Sequence, residues 1–295
     1  MASSPVFNRQ GQRILCGKLT QIKPVQQYPA LLLQNNSERC LVVADLHIGW
    51  ERLLSQRGVH VPSQTPKLKN TLLKVIKATK PTQVTFLGDI KDAIAKIALE
   101  EWKDIPEFFE DIQKQVPDLQ VILGNHDGNL EPLLPEKVKI VPASGTSFGD
   151  IGLFHGHAWP APELLECRSL ITGHVHPTIA IRDPMGLRMT RQVLIKAPCN
   201  GAQLAKTLRK YLGTKNIDIL EEQNEAKVKV LQLFIMPSFN QFLGGRPVND
   251  KRKGKKADTY IGPILRSGCV NMDEAEVYLL DGTFLGTVNQ LKPLS

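Results

Sequence analysis

Leu41-Val42-Val43-Ala44-Asp45-Leu46-His47 is an apolar run that stops on two residues able to grip a cation or move a proton. The arrangement returns at Val84-Thr85-Phe86-Leu87-Gly88-Asp89 and at Val121-Ile122-Leu123-Gly124-Asn125-His126-Asp127. Short apolar runs that alternate with helical patterns read as strands of an α/β sheet. Polar residues just past the strand ends then share one edge of that sheet.

Working outward, Ala30–Leu33 and Leu41–Ala44 flank a polar turn and read as two strands. Thr65-Pro66 opens a helix, with Leu68, Leu72, Val75 and Ile76 at helical spacing to about Thr79. Leu99–Gln115 reads as a second helix, interrupted or restarted at Pro106. After residue 145 the texture changes. Ile151–Phe154 ends in His155 and Ser169–Thr172 ends in Gly173-His174. Val193–Ala197, Val228–Met236, Val277–Leu280 and Phe284–Val288 follow as strands with few helices between them, the last two joined by an Asp281-Gly282 turn. The expectation is a single α/β domain over residues 1–295, a two-sheet β-sandwich flanked by helices. Lys215–Lys227 and Gly244–Thr259 read as loops, the second strongly basic.

Hydrophobic residues make up 42 % of the 295, enough to bury a core, which excludes disorder throughout. No run reaches the ~20 apolar residues of a membrane span. Met1–Gln12 is polar and lacks the apolar stretch of a secretory signal, so a cytoplasmic protein is expected. The five cysteines are scattered and never spaced as CxxC, so they read as reduced thiols and not as a disulfide framework. The net charge of +8 permits a polyanionic partner.

Six of the seven histidines fall in the polar clusters, including His155-Gly156-His157 and His174-Val175-His176. Singly, the clusters have plain readings: Asp45-Leu46-His47 as a turn-capping carboxylate beside a surface histidine, Asp89 as a helix cap, Asn125-His126-Asp127 as a turn. Five such clusters at strand ends on one edge are a different matter. Mixed oxygen and nitrogen donors exclude a structural thiolate zinc site and suit Mn, Fe or Zn. Two ions held close together need a carboxylate between them, and Asp89, central in the series, is the natural bridge.

D-x-H, G-D-x-x-D, G-N-H-D, H-G-H and G-H-x-H, in this order, resemble the calcineurin-like metallophosphoesterase superfamily. Here they are Asp45-Leu46-His47, Gly88-Asp89-Ile90-Lys91-Asp92, Gly124-Asn125-His126-Asp127, His155-Gly156-His157 and Gly173-His174-Val175-His176. The phrase Ala44–Glu51, with Gly58 and Pro62, further resembles archaeal phosphoesterases related to the SbcD nuclease. The resemblance implies two divalent metals, manganese foremost with zinc or iron as alternatives. Asp45, His47 and His176 would hold one; Asn125, His155 and His174 the other; Asp89 would bridge. His126 would face the substrate, with Asp92 and Asp127 orienting neighbours. His155 is assigned as ligand because it directly ends its strand, which leaves His157 facing the pocket or an outer position.

The implied activity is phosphodiester hydrolysis by a hydroxide bridging the metals, with DNA as the expected substrate. Arg246, Lys251, Arg252, Lys253, Lys255 and Lys256 in the basic loop would contribute phosphate contacts. A phosphatase or diesterase for small nucleotides or phosphoproteins is the alternative, and a non-catalytic scaffold is a third reading that the complete ligand set disfavours. The residues after 176 read mostly as strands, so no dedicated ATPase-docking tail is expected, and no membrane partner.

Overall fold

The computed structural model describes residues 19–36, 38–94, 96–183, 185–213, 228–250 and 261–295, with the backbone of 6–7 and 13–14. β1 (Val6–Phe7) and β2 (Arg13–Ile14) form a small antiparallel ribbon. A six-stranded sheet follows in chain order: β3 (Gln21–Pro24), β4 (Ala30–Asn35), β5 (Glu38–Ala44), β6 (Gln83–Leu87), β7 (Asp118–Ile122) and β8 (Lys139–Val141). Pairing is antiparallel as far as β5 and parallel from β5 to β8.

The second sheet has nine strands: β9 (Thr146–Phe148), β10 (Ile151–Leu153), β11 (Ser169–Thr172), β12 (Pro177–Arg182), β13 (Arg188–Pro198), β14 (Gln232–Ile235), β15 (Arg246–Pro247), β16 (Glu276–Leu279) and β17 (Phe284–Thr287). Its centre, β10, β11 and β14, is parallel. Both sheets thus present a row of parallel strand ends.

Period-two patterning gives each sheet two apolar faces. The inner faces meet: Leu31, Leu33, Val42, Leu87 and Ile122 pack with Leu153, Ile171, Phe234 and Met236. After the short helix α1 (Glu51–Ser55), α2 (Thr65–Thr79) and α3 (Leu99–Gln113) cover the outer face of the first sheet through Leu72, Val75, Phe108 and Phe109. Outside the second sheet, α4 (Gly201–Gly213) lays Leu204 and Leu208 against Ile195, Leu233 and Val277. The α/β two-sheet sandwich with outer helices is what the patterning predicts. Among the described residues no helix is long and apolar enough to cross a membrane.

Four local readings change. Pro106 sits inside a continuous α3. The bond its missing N–H forfeits is to the carbonyl of Trp102, four residues back on a half-exposed stretch, while Ile105, Phe108, Phe109 and Ile112 are fully buried and hold the helix down. The helical pattern expected to alternate with each apolar run is, after the third cluster, one 3₁₀ turn, Glu131–Leu133. Val228–Met236 contributes only Gln232–Ile235 as strand. Arg246-Pro247, expected in a loop, pairs alongside β12, and residues 251–260 lie outside the described set, as do 214–227.

Candidate metal centre

Each chemistry-bearing residue stands where a strand stops. Asp45 follows β5, Gly88-Asp89 follows β6, and Asn125-His126-Asp127 comes shortly after β7. From the second sheet, His155 follows β10 by one residue and Gly173-His174 follows β11. The chain leaves these strands through left-handed backbone. Among the described residues, nine that are not glycine have positive φ, and five of those are Asp45, His47, Asp89, His174 and His176. Such conformations are uncommon and concentrate where function fixes a side chain's direction. Gly88 shows how close the loops run: a Cβ there would lie 2.5 Å from His155 Nδ1 and 2.7 Å from Gly124 Cα.

The side chains form three donor groups, Asp45/His47/His176 and His47/Asp92/His126, which share His47, and Asp89/His155/His174, each with donor atoms within 4.8 Å of one another. Asp89 joins the first group to the third. Its Oδ2 lies 3.5 Å from His47 Nε2 and 3.3 Å from His155 Nε2. Asn125 Oδ1 is also 3.3 Å from His155 Nε2 and so completes the third group. His176 Nε2 is 3.2 Å from Asp45 Oδ1.

Among the described residues, both ring nitrogens of His47 and Nε2 of His176 are buried with no assigned hydrogen-bond partner. Orphaned buried nitrogens are rare, and here they border carboxylate oxygens at 3.2–3.5 Å. That arrangement fits a cation shared between the groups. His155 fits equally well. Its Nδ1 lies 2.6 Å from the Leu87 carbonyl, an acceptor only, so Nδ1 carries the proton and Nε2 is the nitrogen available to a metal.

The electrostatics agree. Burial raises Asp45 and Asp89, but imidazoles outweigh it, chiefly His176 for the first and His155 for the second, and hold both carboxyls below the usual range. Burial opposes a charge on His155, yet Asp89 and Asp45 lift it to about 9. Burial and the neighbouring His155 push His174 down to about 4. Two carboxylates thus favour positive charge at a fully buried imidazole, a position suited to a divalent ion.

The remaining expected residues separate by what they touch. His126 sets its Nδ1 2.5 Å from the main-chain carbonyl of Asp92, and its amide donates to Asp89 Oδ1 at 2.9 Å. Asp92 Oδ1 lies 3.3 Å from His47 Nδ1. Asp127 is buried and spends both oxygens on main-chain amides, Ile90 at 2.8 Å and Gly124 at 2.8 Å, tying the second and third loops together. His157 is half-buried, its ring 5.2 Å from His155 and 6.1 Å from His174, outside the three groups. Arg246 is exposed and in register with Pro177, directly after His176. Lys251, Arg252, Lys253, Lys255 and Lys256 lie outside the described residues.

A family model described as calcineurin-like phosphoesterase matches residues 38–193, more than half of the chain. The chain belongs to the calcineurin-like phosphoesterase family. The family implies a metal-dependent phosphoester hydrolase, and the matched span takes in every residue of the three donor groups. Among solved structures, the Pseudomonas putida nuclease MPE is similar at 18 % identity, covering 88 % of this chain and 98 % of its own, with a TM-score of 0.47. YfcE, a phosphoesterase from E. coli, is similar at 18 % identity over 49 % of this chain and 73 % of its own, with a TM-score of 0.31. A search of curated proteins finds no match.

Sequence reading missed the residues that hold this phosphoesterase site in place. Glu101, 1 % exposed on α3, accepts from the amides of Asp92 at 3.1 Å, Ala93 at 2.9 Å and Ala98 at 2.7 Å, and so closes the loop that carries Asp92. Ser238 Oγ donates to the Asp45 carbonyl at 2.6 Å and Asn240 Nδ2 to the Leu46 carbonyl at 3.0 Å, both from the loop after β14. Pro237-Ser238-Phe239-Asn240 does follow an apolar run, the same signal that marked the other clusters.

Proposed function

We propose that this phosphoesterase is a dinuclear metal-dependent phosphodiesterase whose substrate is DNA. Asp45, His47 and His176 would hold one ion and Asn125, His155 and His174 the other, with Asp89 shared. The observation that carries the reading is Asp89 Oδ2, which borders a nitrogen from each of two donor groups. When bound, two divalent ions acidify water and neutralise the phosphoryl oxygens. The chain's own residues do the rest. The Asp92 carbonyl accepts from His126 Nδ1, so the ring, when it carries a proton on both nitrogens, hands the one on Nε2 to the departing oxygen and is left as the neutral Nδ1–H imidazole. Asp92 and Asp127 hold the loops in register. Support for DNA comes from the +8 net charge, the exposed Arg246 beside His176, and the resemblance of Ala44–Glu51 to SbcD-related enzymes.

The test is a digestion panel: end-labelled single- and double-stranded DNA, a nitrophenyl diester and a nitrophenyl monoester, each with manganese, zinc or iron. Metal-dependent cleavage of DNA and of the diester is expected. Hydrolysis of the monoester alone, with DNA left intact, would replace this reading with that of a phosphatase.

A further inference from the structure

Phe242 carries a large aromatic ring that is 43 % exposed. It stacks nearly parallel to Trp50, ring centroids 5.8 Å apart and planes at 19°. The Lys67 ammonium sits 4.5 Å from the Phe242 centroid. Single exposed apolar residues are ordinary on a protein surface and call for no account. A stacked pair with a cation over it is a more specific arrangement, and its place in the fold gives it meaning.

Both members are anchored to the donor groups. The amide of Trp50 donates to the His47 carbonyl at 3.2 Å. The amide of Phe242 donates to Asn240 Oδ1 at 3.1 Å, and Asn240 in turn bonds to the main chain of Leu46 at 3.0 Å. Three residues on, Gly245 passes so near the His176 carbonyl that any Cβ would collide with it. The loop bearing Phe242 therefore runs from the main chain beside His47 to that beside His176, along the edge of one donor group.

We infer that Phe242, backed by Trp50 and flanked by Lys67, is a stacking platform for an unpaired nucleobase next to the scissile phosphate, which makes single-stranded nucleic acid the substrate class. The inference rests on the phosphodiesterase reading of the neighbouring site. A nucleotide presents a flat π-face and an anion within one unit. The ring takes the face, and the Lys67 ammonium, already over the ring and on a flexible stem, moves onto the phosphate. In a duplex both faces of each base are occupied by neighbours, so a platform of this kind selects bases that are unpaired or frayed.

The experiment compares binding of a fluorescein-labelled oligothymidylate with that of an abasic oligomer of equal length and phosphate count. Anisotropy is read on the full chain in EDTA so that nothing is cleaved. The wild type should prefer the base-bearing strand by on the order of 10-fold, the scale of one base on one aromatic ring. Phe242→Leu keeps an apolar cover over Trp50 but offers no π-face, and it should bring that ratio close to one. Phe242→Trp should preserve it. Equal binding of the two oligomers by the wild type, or a preference that survives in Phe242→Leu, would overturn the platform. Hydrolysis by the metal-loaded wild type is scored separately. Intact DNA there counts against the nuclease reading, whereas a lost base preference with DNA still cleaved counts against the platform alone.

Discussion

Replacing Glu101 with alanine should loosen the loop that carries Asp92 and, through the Asp92 carbonyl, the ring of His126. The carboxylate accepts from three main-chain amides, at 2.7, 2.9 and 3.1 Å, from a position that is 1 % exposed. A hydrogen bond to a charged group contributes about 1.5 kcal/mol at the low end, so removing three forfeits on the order of 4–5 kcal/mol. Water entering the vacated space satisfies part of that demand, which leaves an expected destabilisation of about 3–4 kcal/mol. Glu101→Gln keeps an oxygen for Asp92 and Ala93 but turns an amide group toward Ala98, and should cost only about 1–2 kcal/mol. Urea unfolding at constant metal concentration measures both values. Turnover should fall in the same order, alanine below glutamine. The reasoning is refuted if Glu101→Ala unfolds within about 0.5 kcal/mol of wild type, the range of an ordinary surface change. It also fails if glutamine proves as damaging as alanine.

Asp89→Asn should bind fewer than two metals and lose at least about 100-fold in metal affinity, read by elemental analysis after dialysis. Two full-occupancy ions in that variant would remove Asp89 from the shared position. His126→Ala should keep both ions and lose on the order of 10²–10⁴-fold in kcat, less for a nitrophenyl ester, whose leaving group needs no proton. Full activity on DNA in the metal-loaded variant would pass the role to His157. Burial holds the thiols of Cys40 and Cys199 up at about 12 and that of Cys167 at about 11, and Cys269 is buried with them. At pH 8 a disulfide exchange reagent should therefore label no more than one of the five cysteines in the native protein and all five in denaturant, and rapid labelling of more would contradict that burial.

The strand-end clusters were legible because each is local: an apolar run, a small residue, then a donor, all within a few positions. That locality also made the α2 pattern readable, from Leu68 to Ile76. What escaped was long-range. Ser238 meets the carbonyl of Asp45 across 193 positions, and no pattern near residue 238 says which backbone it will find. Glu101 looks like any acidic residue in the first turn of a helix until the loop it closes is folded over it. α4 was hidden for another reason. Leu204, Ala205 and Leu208 do follow helical spacing, but they sit between strong strand signals, and only the uncovered outer face of the second sheet requires a helix there. Pro106 misled in the opposite direction, since four buried apolar neighbours outweigh one missing bond.

Two of the three donor groups draw on both sheets. Asp45 and His47 leave the first and meet His176 from the second, while Asp89 leaves the first and meets His155 and His174 from the second. A newly made chain that has completed only its first sheet therefore has His47, Asp92 and His126 in place but neither of the groups that need the second. It holds carboxylates and no partner imidazoles from the other side. Those two groups assemble only when the apolar inner faces close on each other, so metal binding there would report on the meeting of the sheets and not on the formation of either half. The shared layer also gives substitutions, at Ile171 or Met236 for example, a route to the site, because a small shift of one sheet against the other moves the donor pairs that cross between them.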